Sequence, residues 1–269
     1  MRVDPLAQPS LPPYFIEPNE LLNSLGRATA PQLIDVCRAA AFERHDSLLP
    51  TARWHDPALI DEWIAVLDRD RPIVVNCVHG HNVSQLVAAR LRALGYAARV
   101  LAGGYAGWVA RGFPPMRKSA VVQAVAFRPS KWIATFDLDI DHIAVAWLLT
   151  RFVDPDCIIL FTSGEQLDAV AEESGATLLV PETYPHASGF ADKLNAFGLS
   201  FEPLHQMASD LTDVGARDTA LGRCLRGAIL TAEANPQAAI ANGFHIFDAL
   251  YAWHARAETP ARDAKDTAA

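Results

Sequence analysis

Val74-Val75-Asn76-Cys77-Val78-His79-Gly80-His81-Asn82-Val83-Ser84-Gln85 reads as the end of a buried strand, a short loop and the start of a helix. The apolar run that opens at Pro72 stops at Cys77, Gly80 interrupts it, and helical spacing takes over from Ser84 to Leu94. Ligands of open parallel sheets sit at strand C-termini, which is where this reading places Cys77. Loop N–H groups curled into a nest stabilise a sulfur anion at such a position, and so does the positive end of the oncoming helix dipole. Cys77 is therefore the candidate nucleophile, with Val78, His79, Gly80, His81, Asn82, Val83 and Ser84 as the cradle for its thiolate or persulfide. The competing reading is a structural cysteine at a strand end, beside two surface histidines.

Outward from this loop, short β-branched runs at 32–37, 72–77 and 98–101 are separated by amphipathic segments at 57–67, 84–94 and 105–110. That alternation indicates βαβ units and a mainly parallel sheet. Gly103-Gly104 and Gly112-Phe113-Pro114-Pro115 are breaks, and the α/β unit is expected to end near Pro115. From Asp141 onward the apolar spacing is mostly helical, with two strand-like runs at 157–161 and 176–180. Helical patterns return at 192–197, 220–232 and 238–253, and Trp147, Phe247, Tyr251 and Trp253 are expected to be core. The fold class read from this is α/β, a parallel sheet with flanking helices, followed by a mostly helical second domain.

The first half resembles rhodanese domains. Leu33-Ile34-Asp35-Val36-Cys37-Arg38 is similar to their hydrophobic-Asp-Val-Arg strand, and Cys77-x-x-Gly80 to their active-site loop. Gly95-Tyr96, Gly103-Gly104 with Trp108, and Gly112-Phe113-Pro114 resemble their closing signature. The resemblance implies a sulfurtransferase in which Cys77 takes a sulfane sulfur as a persulfide and passes it on. It also implies a supporting, structural role for Asp35 and Arg38. Rhodaneses that use thiosulfate commonly carry Arg or Lys in or beside the loop, whereas this loop has only histidines, which points either to a donor less anionic than thiosulfate or to weak binding at high pH. The loop is about one residue longer than usual, as in related phosphatases and arsenate reductases. Those need an arginine to clamp oxyanion oxygens, and Asn82 and Val83 stand where it would be.

The second half resembles the C-terminal domain of ChrB-type chromate-resistance proteins. The likeness rests on residues 140–154, on 163–175, on His186 ahead of a Phe, and on Phe247-Asp248-Ala249-Leu250-Tyr251-Ala252-Trp253. His142 stands where that family usually has arginine. Candidate residues here are Asp141, His142, Arg151, Asp154, His186 and Asp248. Asp141 is read as a helix N-cap and Arg151–Asp154 as an i,i+3 pair, while Asp248 is either a capping acid or a buried functional one. Convergence of His142, His186 and an acid such as Asp213 on a metal is the sharper idea. No tight His-x-x-x-His spacing supports it, so no metal and no cofactor are expected. The expected organisation is an extended lead-in at 1–15, a rhodanese-like domain at 16–116, a linker at 117–130, a chromate-resistance-type domain at 131–255 and a disordered tail at 256–269.

Composition narrows the partners. In 269 residues, 51% hydrophobic and 20% charged, 23 basic side chains meet 31 acidic ones for a net charge of -8. So apolar a chain builds real cores, and an acidic one without a basic run is a poor match for nucleic acid. The longest apolar stretch of the helical half, Ile143 to Leu149, has seven residues, against about twenty for a membrane span. Cys37, Cys77, Cys157 and Cys224 form no Cys-x-x-Cys pair, and no secretory h-region opens the chain. A cytoplasmic protein is expected, with small sulfur donors and thiol acceptors as partners. The alternative is an oxyanion-sensing or regulatory module for chromate resistance on a non-catalytic rhodanese scaffold. A third possibility is chromate reduction by Cys77 thiol chemistry, with Cys37 near enough for a disulfide.

Overall fold

The computed structural model describes residues 12–121, 129–180, 189–216 and 219–257. The chain divides into two units, Met1–Arg128 and Pro129–Ala269. In the first, strands β1 (Phe15–Ile16), β2 (Gln32–Asp35), β3 (Ser47–Leu48), β4 (Arg53–Trp54), β5 (Ile73–Asn76), β6 (Ala98–Leu101) and β7 (Met116–Arg117) are set among five helices. These are α1 (Pro18–Ser24), α2 (Ala39–Arg44), α3 (Ile60–Trp63), α4 (Asn82–Ala93) and α5 (Gly104–Ala110).

The main sheet has the order β1-β6-β5-β2-β4, and every pairing in it is parallel. β5 lies in the middle, and all four of its residues are buried, as a strand covered on both faces must be. Burying Ile73, Val74 and Val75 stabilises the fold by roughly 2 kcal/mol each. Asp35 stands opposite Asn76 in the register, so β2 and β5 end together on one edge. β3 and β7 pair antiparallel in a separate ribbon, so paired backbone runs past Pro115.

Two elements differ in detail from the sequence reading. The helix after the loop begins at Asn82 rather than Ser84, because extended His81 turns the chain into it two residues early. The segment 57–67 is a broken helix, with α3 flanked by 3-10 turns at Pro57–Leu59 and Ile64–Val66.

The second unit holds strands β8 (Lys131–Thr135), β9 (Ile158–Thr162) and β10 (Thr177–Leu178), parallel in the order β10-β8-β9. Its helices are α6 (Ile140–Leu148), α7 (Leu167–Ser174), α8 (Gly189–Phe197), α9 (Glu202–Ala216), α10 (Ala220–Leu230) and α11 (Pro236–Ala257). It is mostly helical, as expected, although β8 was not foreseen. α6 continues into a π turn at Leu149–Val153. Fully buried Trp147 lies against the rings of Phe152, Phe190, Phe247 and Tyr251. Trp253 corrects the core expectation, being 72% exposed. Phe247 and Tyr251 share a helix face at i,i+4 spacing, and a residue two further on points away from it.

Candidate functional site

β5 delivers Cys77 to the C-terminal edge at the centre of its sheet, and α4 starts five residues later. The loop between closes because two glycines accept left-handed backbone at points with no room for a side chain. Gly80 has φ +69°, and a Cβ there would lie 2.4 Å from the Leu101 carbonyl oxygen. Gly104 has φ +58°, and its Cβ would lie 2.2 Å from the Cys77 carbonyl oxygen and 2.4 Å from the Gly80 nitrogen. Only glycine fits such close approaches. The first turn of α5 then fastens the loop, with Tyr105 N–H donating to Cys77 O (2.9 Å) and Ala106 N–H to Val78 O (2.8 Å).

The sulfur is largely buried. Ser84, buried on the first turns of α4, has its hydroxyl oxygen 3.1 Å from Cys77 Sγ and 2.9 Å from the His81 carbonyl oxygen. A neutral thiol donates to the Ser84 oxygen, while the serine proton goes to His81 O. A sulfur anion instead accepts that proton, so one bond rotation switches the hydroxyl from carbonyl to sulfur. His79, His81 and Asn82 are exposed around the loop, with the two imidazole rings 6.3 Å apart. Val83 is half-buried against the core, and Gln85 Nε2 donates to the Gly80 carbonyl (3.2 Å).

Beside the loop, β2 supplies a second buried group. Asp35 Oδ1 accepts the Cys37 N–H (2.7 Å). Burial is the largest influence on Asp35 and raises its pKa against this bond and the nearby His45. Burial also pushes the Cys37 thiol far up, reinforced by Asp35 and by Cys77. Arg38 is exposed and opens α2.

In the second unit the polar focus is Asp248 on α11. Arg151, on the π turn, donates to it through Nε (2.9 Å) and a terminal nitrogen (3.0 Å), and Trp147 Nε1 donates as well (2.7 Å). His142 Nδ1 lies 2.6 Å from Asp139 Oδ1 in a reciprocal cap of α6. Asp154 accepts the N–H and hydroxyl of Ser130, each at 2.7 Å.

Residues 17–111 match the rhodanese-like domain family, and residues 132–254 match the C-terminal domain family of ChrB. The chain is a rhodanese-like domain followed by a ChrB C-terminal domain. No curated protein matches it in sequence. Among solved structures, a rhodanese homologue from Thermus thermophilus is 30% identical, over 34% of this chain and 96% of its own, with a TM-score of 0.29. A rhodanese-like domain protein from Staphylococcus aureus is 25% identical, over 35% of this chain and 88% of its own, with a TM-score of 0.32. A thiosulfate sulfurtransferase from Pseudomonas aeruginosa is 25% identical, over 38% of this chain and 19% of its own, with a TM-score of 0.32.

In the rhodanese-like domain the structure thus gathers Cys77, Gly80, Ser84 and Asp35 around one strand edge. What sequence reasoning missed is the part played by Gly104, which was read as a break and as part of the closing signature but not as a seat for the Cys77 loop. In the ChrB domain three expectations are corrected. Asp139, not Asp141, caps α6, and Asp141 lies buried in the first turn. Arg151 pairs with Asp248 rather than Asp154, because the π turn offsets the regular i,i+3 spacing. Asp248 is not a cap, since it sits in mid-helix, where it accepts from Arg151 and Trp147. Asp213 is exposed on α9, and His186 lies outside the described residues. Among the described residues no three His, Cys, Asp or Glu side chains are grouped to hold a metal ion.

Proposed function

We propose that the rhodanese-like domain is a sulfurtransferase that carries sulfane sulfur as a Cys77 persulfide, in a cytoplasmic protein linked to chromate resistance through its ChrB domain. The observation that carries this is the position of Cys77 Sγ, at the end of the central strand, 3.1 Å from a hydroxyl that can turn toward an anion. The Cys77 thiolate attacks the outer sulfur of a donor. With thiosulfate, the sulfur–sulfur bond breaks, sulfite leaves with its electron pair, and a Cys77 persulfide remains. An acceptor thiolate then attacks the terminal sulfur, forms its own persulfide and returns Cys77 as the thiolate. Loop amides, the α4 N-terminus and the Ser84 hydroxyl stabilise the negative sulfur at each stage. Donors and acceptors are small, because the loop leaves Cys77 only 8% exposed. Without a Lys or Arg in the loop, polysulfide is the better donor and thiosulfate the poorer one.

Intact-mass measurement after incubation with polysulfide, and separately with thiosulfate, tests the proposal. Wild type gains one sulfur atom that cyanide removes, and Cys77→Ser gains none. A wild type unchanged by either donor overturns it and leaves the regulatory, oxyanion-binding reading. Chromate and sulfate titration of the full chain then takes precedence.

A further inference from the structure

The Cys77 loop carries two imidazoles for which the transfer cycle has no use. His79 and His81 flank Gly80, both are exposed, and their ring centres lie 6.3 Å apart. That separation is close to twice the roughly 2.9 Å of an N–H···O bond, so one small oxyanion fits between the rings and accepts from both. The pair belongs to the segment that wraps the sulfur: the His81 carbonyl oxygen lies 4.0 Å from Cys77 Sγ and 2.9 Å from the Ser84 hydroxyl. Left-handed Gly80, seated against Leu101 and Gly104, fixes the backbone between the two histidines. The histidine ion pairs among the described residues are those of His142 and His254, and His79 and His81 have no partner there. The surrounding elements bring no competing acid to the loop. The first turns of α4 and α5 carry none, Tyr105 of α5 bonds to Ser47 and lies against His45, and Asp35 and Cys37 at the end of β2 are buried. Arg38 opens α2 as a fixed cation, with exposed Glu43 and Arg44 further along that helix.

We propose that His79 and His81 are the oxyanion-binding pair of the donor site, and that when protonated they admit dianionic sulfane donors of the thiosulfate class. The inference rests on the persulfide reading and gives it a donor class. An imidazole gains positive charge as pH falls through the neutral range. The pair then holds the sulfonate end of thiosulfate at the mouth of the loop, leaving the outer sulfur to Cys77 Sγ. It also stabilises the sulfite that departs with the electron pair of the sulfur–sulfur bond. The histidines bind and orient, while the bonds made and broken remain those of the transfer cycle. At higher pH the rings are neutral, a dianion meets only amide N–H groups and the α4 N-terminus, and polysulfide is the donor taken. Two histidines in place of a fixed Lys or Arg thus make the choice of donor depend on pH.

Two ratios measured on the full chain separate this pair from the persulfide chemistry. The first is the rate of Cys77 alkylation by anionic iodoacetate over that by neutral iodoacetamide, followed at the Cys77 peptide. The thiolate fraction cancels in it, and no persulfide is involved. Between pH 8.5 and pH 6 it is expected to rise about threefold or more in wild type and to stay flat in the double variant His79→Gln/His81→Gln. The second is the rate of sulfur loading by thiosulfate over iodoacetamide alkylation, which is expected to rise about tenfold across the same range in wild type alone, because the donor carries two charges. His81→Lys, which fixes a cation in the loop, keeps both ratios high at pH 8.5. Flat ratios in wild type, or an undiminished rise in the double variant, overturn the inference, and loading of Cys77 by polysulfide then leaves the sulfurtransferase standing. Wild type that gains no sulfur from either donor at either pH overturns both. The wild-type ratios depend on no variant, so a poorly folding substitution does not obscure the answer.

Discussion

Gly104 stands directly behind the carbonyl of Cys77: a single added carbon on Gly104 would come within 2.2 Å of that oxygen. The clash is with backbone, which cannot swing aside as a side-chain end can. Gly104→Ala is expected to push the loop off its seat, lower stability by about 2–4 kcal/mol and abolish sulfur loading at Cys77. Urea denaturation and intact mass check both effects, and a variant with wild-type loading would show that the contact is not required.

Ser84→Ala removes the hydroxyl beside Cys77 Sγ without disturbing a helix position that alanine suits. A hydrogen bond to a charged group contributes about 1.5–3 kcal/mol, so sulfur transfer is expected to slow by about 10- to 100-fold. The loss should fall on kcat more than on KM, because the bond strengthens as the sulfur becomes an anion. Cyanolysis kinetics with polysulfide provide the measurement.

His55 gives the rhodanese-like domain a dependence on pH. Burial, and secondarily Arg53, hold its imidazole down to about 4. The unfolded chain takes up this proton near pH 6.5, so the stability from neutral His55 is complete above that value. It declines as pH falls toward about 4, where the folded state is protonated too. The span corresponds to about 3 kcal/mol. Denaturation midpoints at pH 7.5 and 4.5 should differ by that order, and His55→Gln should flatten the difference.

Thr51 is a β-branched residue with φ +63°, and its buried hydroxyl has no hydrogen-bond partner among the described residues. Both features cost free energy, of order 1 kcal/mol or more each. Thr51→Gly relieves both and gives back part of the gain as chain entropy. A net stabilisation of about 1 kcal/mol is expected, read as a rise in Tm, and a fall would contradict the strain.

Asp248→Ala would leave the Arg151 guanidinium and the Trp147 indole N–H without their acceptor. The pair is partly exposed, at 13% and 31% for the two side chains, so solvent screening moderates the loss to about 1–3 kcal/mol. Asp248→Asn keeps an acceptor and should lose less. Urea unfolding of the full chain compares the two.

The Cys77 loop was legible because a short continuous apolar run gives way to helical spacing across six residues, a pattern local enough to read directly. The parallel sheet followed from repetition of that pattern. What stayed hidden was set by distant parts of the chain. Asp248 and Arg151 are 97 residues apart, and no spacing rule joins them. The π turn that aims Arg151 has no sequence signature. Lys131–Thr135 is short and mixed in character, and it pairs with strands from much later in the chain. Gly104 reads as a helix breaker, whereas its role depends on a backbone 24 to 27 residues earlier packing against it.

The central place of β5 has a kinetic side. Sheets open from their margins, and amide exchange at an edge reports small local openings, while a middle strand exchanges only when the whole unit comes apart. β5 has β6 on one side and β2 on the other, each with a further strand outside it. The amides leading to Cys77 should therefore be among the slowest to exchange in their unit. Sulfur transfer should persist through fraying of β1 and β4 and vanish only with global unfolding, so that heat inactivation and loss of structure follow a single curve.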